Sequence, residues 1–254
     1  MNGITEENSY GEARMERIST GVPGLDLIIA GGLPKNSTTL LSGPPGGGKS
    51  IFCFQFIYDG AKKGEKCLFL TLDKKVEGLL AQARQLGFDF QPAIESNQVK
   101  FLYLNISKKF VYESMTNEIL SGEYDRIVLD SITPLSEMPM IMRPSEDDNT
   151  DTSMINFEDF PDDVSLPARR LHLRYIISTL ESSKSTSLIT SEIPVGSSLL
   201  SRDGISEFLA DGVITLSLDP TMDRRKVSVM KMRSTKHTLK PRDFVIDHGG
   251  IKIV

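Results

Sequence analysis

The sequence predicts an α/β fold: a mostly parallel sheet with helices on both faces and antiparallel strands at its C-terminal edge. Three observations carry this. From Ile18 onward, short β-rich apolar runs alternate with helical patterns. A glycine-rich loop joins one of those runs to the first long helix. Near the C-terminus the pattern changes to a period of two, apolar then polar.

Taken in order, residues 1–16 are polar and without periodicity, and read as a flexible N-terminal tail. Strands are predicted at 37–42, 67–72, 99–104, 126–130, 187–190 and 212–218, and helices at 49–63, 75–86, 110–121 and 167–183. Strand–helix alternation of this kind builds right-handed βαβ units, which give a parallel sheet covered on both faces. The runs 226–233 and 242–246 alternate at period two and suit antiparallel strands added at the edge. No repeat and no linker interrupts 17–254, so one domain is expected there. One segment breaks the rhythm: 144–166 holds eight acidic residues and no basic one. It reads as an acidic loop insertion, either a solvated connection or a functional one.

Composition narrows the function classes. The chain has 254 residues, enough for a sizeable core, with 39 % apolar and 25 % charged residues. No apolar run approaches the ~20 residues that span a bilayer, and a cytoplasmic location is expected. The two cysteines, Cys53 and Cys67, sit in apolar stretches without metal-ligand spacing and read as reduced core residues. With 34 acidic against 29 basic residues the net charge is −5, so a general basic coat for nucleic acid is absent.

The chemistry-bearing residues begin with Gly43-Pro44-Pro45-Gly46-Gly47-Gly48-Lys49-Ser50, which fits the Walker A pattern GxxxxGK followed by Ser or Thr. A strand precedes it and a helix follows, which is the context the motif needs. Glycines let backbone N–H groups wrap a phosphate without Cβ clashes, and the helix N-terminus carrying Ile51 adds a positive dipole end. In such a loop Lys49 reaches the β- and γ-phosphates, and Ser50 ligates Mg²⁺. The apolar run ending in Asp130 places a carboxylate at the ligand-binding edge of the sheet, where it would hold the metal through water. Asp73 ends another strand at the same edge. It could orient the attacking water or simply cap the following helix. Thr190, Ser191 and Glu192 close a further strand, as polar sensors near the γ-phosphate or as a structural turn. Between Met222 and Arg242 there are eight Lys/Arg and one acidic residue. Alternation puts Lys231 and Arg233 on one face and Met230 and Met232 on the other, with His237 beyond. These cations could protect an edge strand or clamp a triphosphate bound by a neighbouring subunit.

The segment Ile18-Ser-Thr-Gly-Val-Pro-Gly-Leu-Asp-Leu-Ile-Ile-Ala-Gly-Gly-Leu-Pro34, running into the loop, resembles the signature of KaiC-like ATPases of the RecA superfamily. Asp130-Ser131, Thr190-Ser191-Glu192, Ala210-Asp211-Gly212-Val213 and Lys231-Met-Arg233-Ser-Thr-Lys-His237 follow in the family's order. The resemblance covers about 17–254 and implies a single RecA-like P-loop NTPase domain with ATP and Mg²⁺. It implies assembly into a homo-oligomeric, commonly hexameric ring, with Lys231, Arg233 and His237 approaching the ATP of the adjacent subunit. Two departures stand out. The family's glutamate pair after the second strand is replaced by Asp73-Lys74, which implies slow hydrolysis. Glu207-Phe208 stands where the family's circadian members carry a phosphorylated Ser-Thr pair in their second domain, so the resemblance does not imply a phosphorylation cycle. The expectation is a slow ATPase whose nucleotide state controls ring assembly and docking of an unidentified protein partner. A non-hydrolysing ATP-dependent scaffold is the alternative. A RecA- or RadA-related DNA-repair role is weakened because the first candidate DNA loop is acidic, which repels phosphate.

Overall fold

The protein is described by a computed structural model covering residues 15–107, 110–137 and 162–254, with the backbone alone over 162–168. In chain order the elements are β1 (Arg17–Ile18), α1 (Leu25–Ile28), β2 (Leu33–Pro34), β3 (Thr38–Gly43), α2 (Lys49–Lys62) and β4 (Cys67–Thr71). Next come α3 (Val76–Gln85), α4 (Gln91–Glu95), β5 (Val99–Tyr103), α5 (Val111–Ser121), β6 (Arg126–Asp130), α6 (Thr133–Glu137) and α7 (Asp162–Ser182). The chain continues through β7 (Thr186–Glu192), α8 (Ser206–Leu209), β8 (Gly212–Asp219), β9 (Arg224–Met232), β10 (Arg242–Asp247) and β11 (Gly250–Ile253).

Nine strands form one sheet in the order β11-β10-β9-β8-β3-β7-β6-β4-β5. From β8 to β5 all neighbours are parallel, and β9, β10 and β11 extend the sheet antiparallel beyond β8. Successive strand residues face opposite sides, and the cores show it. Leu41, Phe69, Val128, Leu188 and Ile214 join α1, α2 and α3 on one face. Leu40, Leu68, Leu70, Ile127, Leu129, Ile189 and Val213 join α5, α7 and α8 on the other. Cys53 and Cys67 are free and buried in the first core. Burial pushes the Cys67 thiol up to about 12 and that of Cys53 well above its ordinary value. Among the described residues no helix is long and apolar enough to cross a membrane.

At the amino ends of the parallel strands, Arg126 is 1 % exposed yet charged. Its guanidinium pairs with Glu65, and with Asp59 at 3.0 Å, and donates to the carbonyls of Ser19 and Phe56 at 3.0 and 2.8 Å. The segment before β3 is thereby tied to the end of α2. Gly60 makes room for it, since a Cβ there would stand 2.7 Å from the arginine side chain. Breaking such a buried pair by removing one partner costs about 3–5 kcal/mol.

Three features depart from the sequence reading. Helix α7 starts at Asp162, so the acidic connection ends before 166; residues 144–161 lie outside the described residues. Of the tail read at 1–16, residues 1–14 lie outside them too, while Glu16 accepts a hydrogen bond from the Lys35 backbone N–H at 3.0 Å and pairs with the Lys35 ammonium at 2.9 Å. In β9 a bulge opposite Val213/Ile214 breaks the alternation. Met230 is therefore exposed while Met232 is buried, and the inward phase moves from Val227 and Val229 to Met232.

Candidate nucleotide site

The loop between β3 and α2 stands at the carboxyl edge of the parallel strands, where open α/β folds bind ligands. Gly46 and Gly48 take φ of +75° and +101°, a left-handed backbone that side-chain-bearing residues avoid. Gly43 passes so close to β8 that a Cβ would stand 2.8 Å from the Leu216 carbonyl oxygen. The Gly47 N–H closes the turn on the Pro44 carbonyl at 3.0 Å, and the Phe52 N–H to Gly48 bond begins the helix. A cavity of about 400 Å³ opens over this loop. Pro45, Gly46, Gly48, Lys49, Ser50 and Ile51 line it; Gly43, Pro44 and Gly47 shape the loop without lining it.

Lys49 is 7 % exposed. Its ammonium donates to the Gly43 and Pro44 carbonyls at 2.8 and 3.1 Å and lies 3.5 Å from a Glu192 carboxylate oxygen. The Ser50 hydroxyl donates to Asp130 Oδ2 at 2.9 Å, across eighty positions of sequence. The Thr190 hydroxyl donates to the other oxygen, Oδ1, at 2.5 Å. Strand β7 lies between β3 and β6, so its last residues pass between the loop and Asp130. Asp130 is thus held from both sides by hydroxyls whose positions are fixed by secondary structure.

Strand periodicity separates the three polar residues of β7. Thr190 meets Asp130 and Glu192 meets Lys49, but Ser191 turns to the other side and accepts the Arg202 N–H at 2.9 Å. Ser191 is therefore not a sensor facing the cavity. Asp73 lines the cavity with Asp130 and Glu192. It is not the helix cap: α3 begins after Lys75, and no side chain caps it. Burial first, then the nearby Asp130 and Glu192 carboxylates, hold the Asp73 carboxyl above the ordinary aspartate range, with Lys74 opposing. Sequence reasoning missed Gln82, which lines the same cavity from α3; it is half-buried one turn after Leu79, and a lone glutamine there carries no signal in the sequence.

The C-terminal cations lie elsewhere. Met232 pairs with Gly212, and Gly212 with Thr39 at the start of β3, four residues before Gly43. At about 3.3 Å per residue this puts Lys231 and Arg233 roughly 13 Å along the sheet from their own loop. Both have partners within the chain. The Lys231 ammonium donates to the carbonyls of Glu207, Phe208 and Ala210 at 3.0, 3.4 and 2.6 Å, closing the carboxyl end of α8. Arg233 pairs with Asp211 at 2.9 Å. His237 lies in the connection from β9 to β10.

Whether the cavity fits a triphosphate with a divalent cation can be judged from its donors. The loop offers backbone N–H groups at a helix start, an ammonium and a hydroxyl paired with a carboxylate. Mg²⁺ keeps several waters and is held by one or two protein groups plus phosphate oxygens, and the Ser50–Asp130 pair is such a sparse set.

The family model described as "ATPase: KaiC" matches residues 18–145 and 164–254. The chain is 30 % identical over 244 residues to a UPF0273 protein of Methanopyrus kandleri, covering 94 % of this chain and 92 % of that one. It is 29 % identical to the circadian clock protein KaiC3 of Synechocystis, covering 94 % of this chain but 46 % of the relative. The crystal structure of a KaiC-like protein from Pyrococcus horikoshii superposes with a TM-score of 0.75 at 29 % identity, over 94 % of this chain and 99 % of that one.

Proposed function

The chain belongs to the KaiC family of ATPases, a single RecA-like domain, and from that premise we propose that it binds ATP with Mg²⁺ and hydrolyses it slowly. The observation that carries the reading is the Ser50–Asp130–Thr190 arrangement beside Lys49. When bound, Mg²⁺ neutralises phosphate oxygens and orients them. The chain's own residues do the rest. Lys49 would exchange its loop carbonyls for β- and γ-phosphate oxygens, and Ser50 and Asp130 are the residues that would hold the metal. Asp73 accepts a hydrogen bond from the attacking water and orients it. Its side chain is one methylene shorter than a glutamate's, and catalysis is sensitive to displacements of about 1 Å, so turnover at this site is expected to be slow.

The nucleotide state, on this reading, controls assembly of a head-to-tail ring and the docking of a partner protein. Such interfaces join different patches of successive subunits. The separation of Lys231, Arg233 and His237 from their own loop supports their acting on a neighbour's nucleotide. The test is native mass with and without ATP–Mg²⁺, with phosphate release measured on the same sample. Assembly and turnover that both vanish in Lys49→Ala are expected. Assembly without turnover would make the protein an ATP-dependent scaffold. Unchanged mass and no nucleotide dependence would refute the reading.

A further inference from the structure

Charge within the nucleotide cavity is out of balance. Three carboxylates face it, Asp73, Asp130 and Glu192, against a single enclosed cation, Lys49, itself shared with Glu192. A triphosphate entering there adds negative charge close to Asp73. The one other cation lining the cavity among the described residues is Lys74.

Lys74 is placed by structure and not merely adjacent. The Thr71 side chain, 1 % exposed, grips the turn after β4: its hydroxyl donates to the Lys74 carbonyl at 3.1 Å, and the Lys74 N–H points back to the same oxygen at 3.4 Å. This turn presents Asp73 and Lys74 together over the cavity. The Lys74 ammonium then donates to Gln82 Oε1 at 3.3 Å, and Gln82 lines the same cavity from the second turn of α3. That bond is long and to a neutral acceptor, and among the described residues no ion pair is formed by this ammonium, although Asp73 precedes it in sequence. A charge held at a pocket mouth by one weak neutral contact is available to a stronger anionic one.

We propose that Lys74 is a phosphate-positioning residue supplied by the same chain, which engages the terminal phosphate of the bound nucleotide and so selects the triphosphate over the diphosphate. The inference rests on the nucleotide-binding reading of this cavity. Gln82 acts as the rest position of the ammonium, and Thr71 fixes the backbone from which the side chain swings. Lys74 has a second effect on the same site: its positive charge opposes the burial and the Asp130 and Glu192 carboxylates that raise the Asp73 carboxyl, and so favours the charged form of Asp73.

The experiment compares ATP and ADP affinities, each with Mg²⁺, for the parent chain, Lys74→Gln and Lys74→Arg, at low and high salt. Lys74→Gln is expected to weaken ATP by about ten-fold and ADP by less than about two-fold, as for a charge-assisted bond made only to the last phosphate. Lys74→Arg should restore the preference. The parent's ATP preference should shrink more steeply with rising salt than that of Lys74→Gln, in which only the Lys49 charge is left to be screened. Equal losses for ATP and ADP, or no change in either, would overturn the proposal while leaving the cavity a nucleotide site. Failure of the parent to bind either nucleotide would overturn the underlying reading and this proposal with it.

Discussion

Thr190→Val is the most searching perturbation of the site. It keeps the volume and β-branching of a side chain that is fully buried in β7, so packing should change little. What it deletes is the 2.5 Å hydrogen bond from the threonine hydroxyl to Asp130 Oδ1. A hydrogen bond to a charged group contributes about 1.5–3 kcal/mol, and Asp130 is only half-buried, so water recovers part of it. A stability loss of about 1–2 kcal/mol follows. The functional loss should be larger in proportion. Ser50 alone would then hold the carboxylate, through Oδ2. Partners that orient a metal-binding carboxylate without touching the metal are typically worth about 10–100-fold in affinity or activity. The assay is phosphate release and ATP binding as a function of Mg²⁺ concentration, beside thermal unfolding. Half-saturation should move to at least about ten-fold higher Mg²⁺ in Thr190→Val and return in Thr190→Ser, which keeps the hydroxyl. A valine variant that loses stability but keeps its Mg²⁺ requirement within about two-fold would refute the argument and make Thr190 a packing residue.

Lengthening Asp73 to Glu should raise turnover, and Asp73→Asn should lower it; equal rates in all three would leave Asp73 no part in hydrolysis. Because the Asp73 carboxyl stays protonated to higher pH than an ordinary aspartate, turnover should fall on acidification above the usual aspartate range, a limb that Asp73→Asn removes with the activity. Arg233→Ala should suppress turnover and ATP-dependent assembly, and mixing it with Lys49→Ala subunits should restore part of the activity; no recovery across the mixing range, with mixed rings confirmed by mass, would rule out action between subunits. His172, packed edge-on against Tyr112 at 4.6 Å and buried, has its pKa pushed from 6.5 down to about 4, so the unfolded chain binds the extra proton between those values. The fold should therefore lose about 3 kcal/mol as pH falls through that window, and His172→Phe should flatten this slope in denaturant titrations; an unchanged slope would place the acid sensitivity elsewhere.

Much of the fold was legible because strands buried on both faces leave near-continuous apolar runs, as Cys67–Thr71 and Arg126–Asp130 do. Strand order was not legible. That β3 lies between β7 and β8, with β4 at four places' remove from β8, depends on where each crossover helix packs, and no local pattern carries that. Strand β11 is only Gly250–Ile253, too short to announce itself, yet it pairs with β10 across the His248-Gly249 turn. Short helices α6 and α8 escaped for the same reason, having one turn each and little periodicity.

For the site, legibility followed chain contiguity. Lys49 and Ser50 belong to one continuous motif whose geometry is set by its own glycines. Asp130 was reachable by a general rule, since strands of a parallel sheet end on one edge, and the 2.9 Å contact with Ser50 realises it. The errors arose where one residue's displacement changes the partner of every later side chain. The bulge at β9 is such a place. Without it, Lys231 would continue the inward phase of Val227 and Val229 and bury its charge in the first core. With it, Met232 takes the inward position and Lys231 reaches the carbonyls that end α8. The same period-two logic separates Ser191 from Thr190 and Glu192, and here it needed only strict application. Lys74 is the opposite case. Its sequence environment shows a solvent-facing lysine before a helix, and only the Thr71-held turn after β4, with Gln82 on α3, sets the ammonium at the cavity that Lys49 faces.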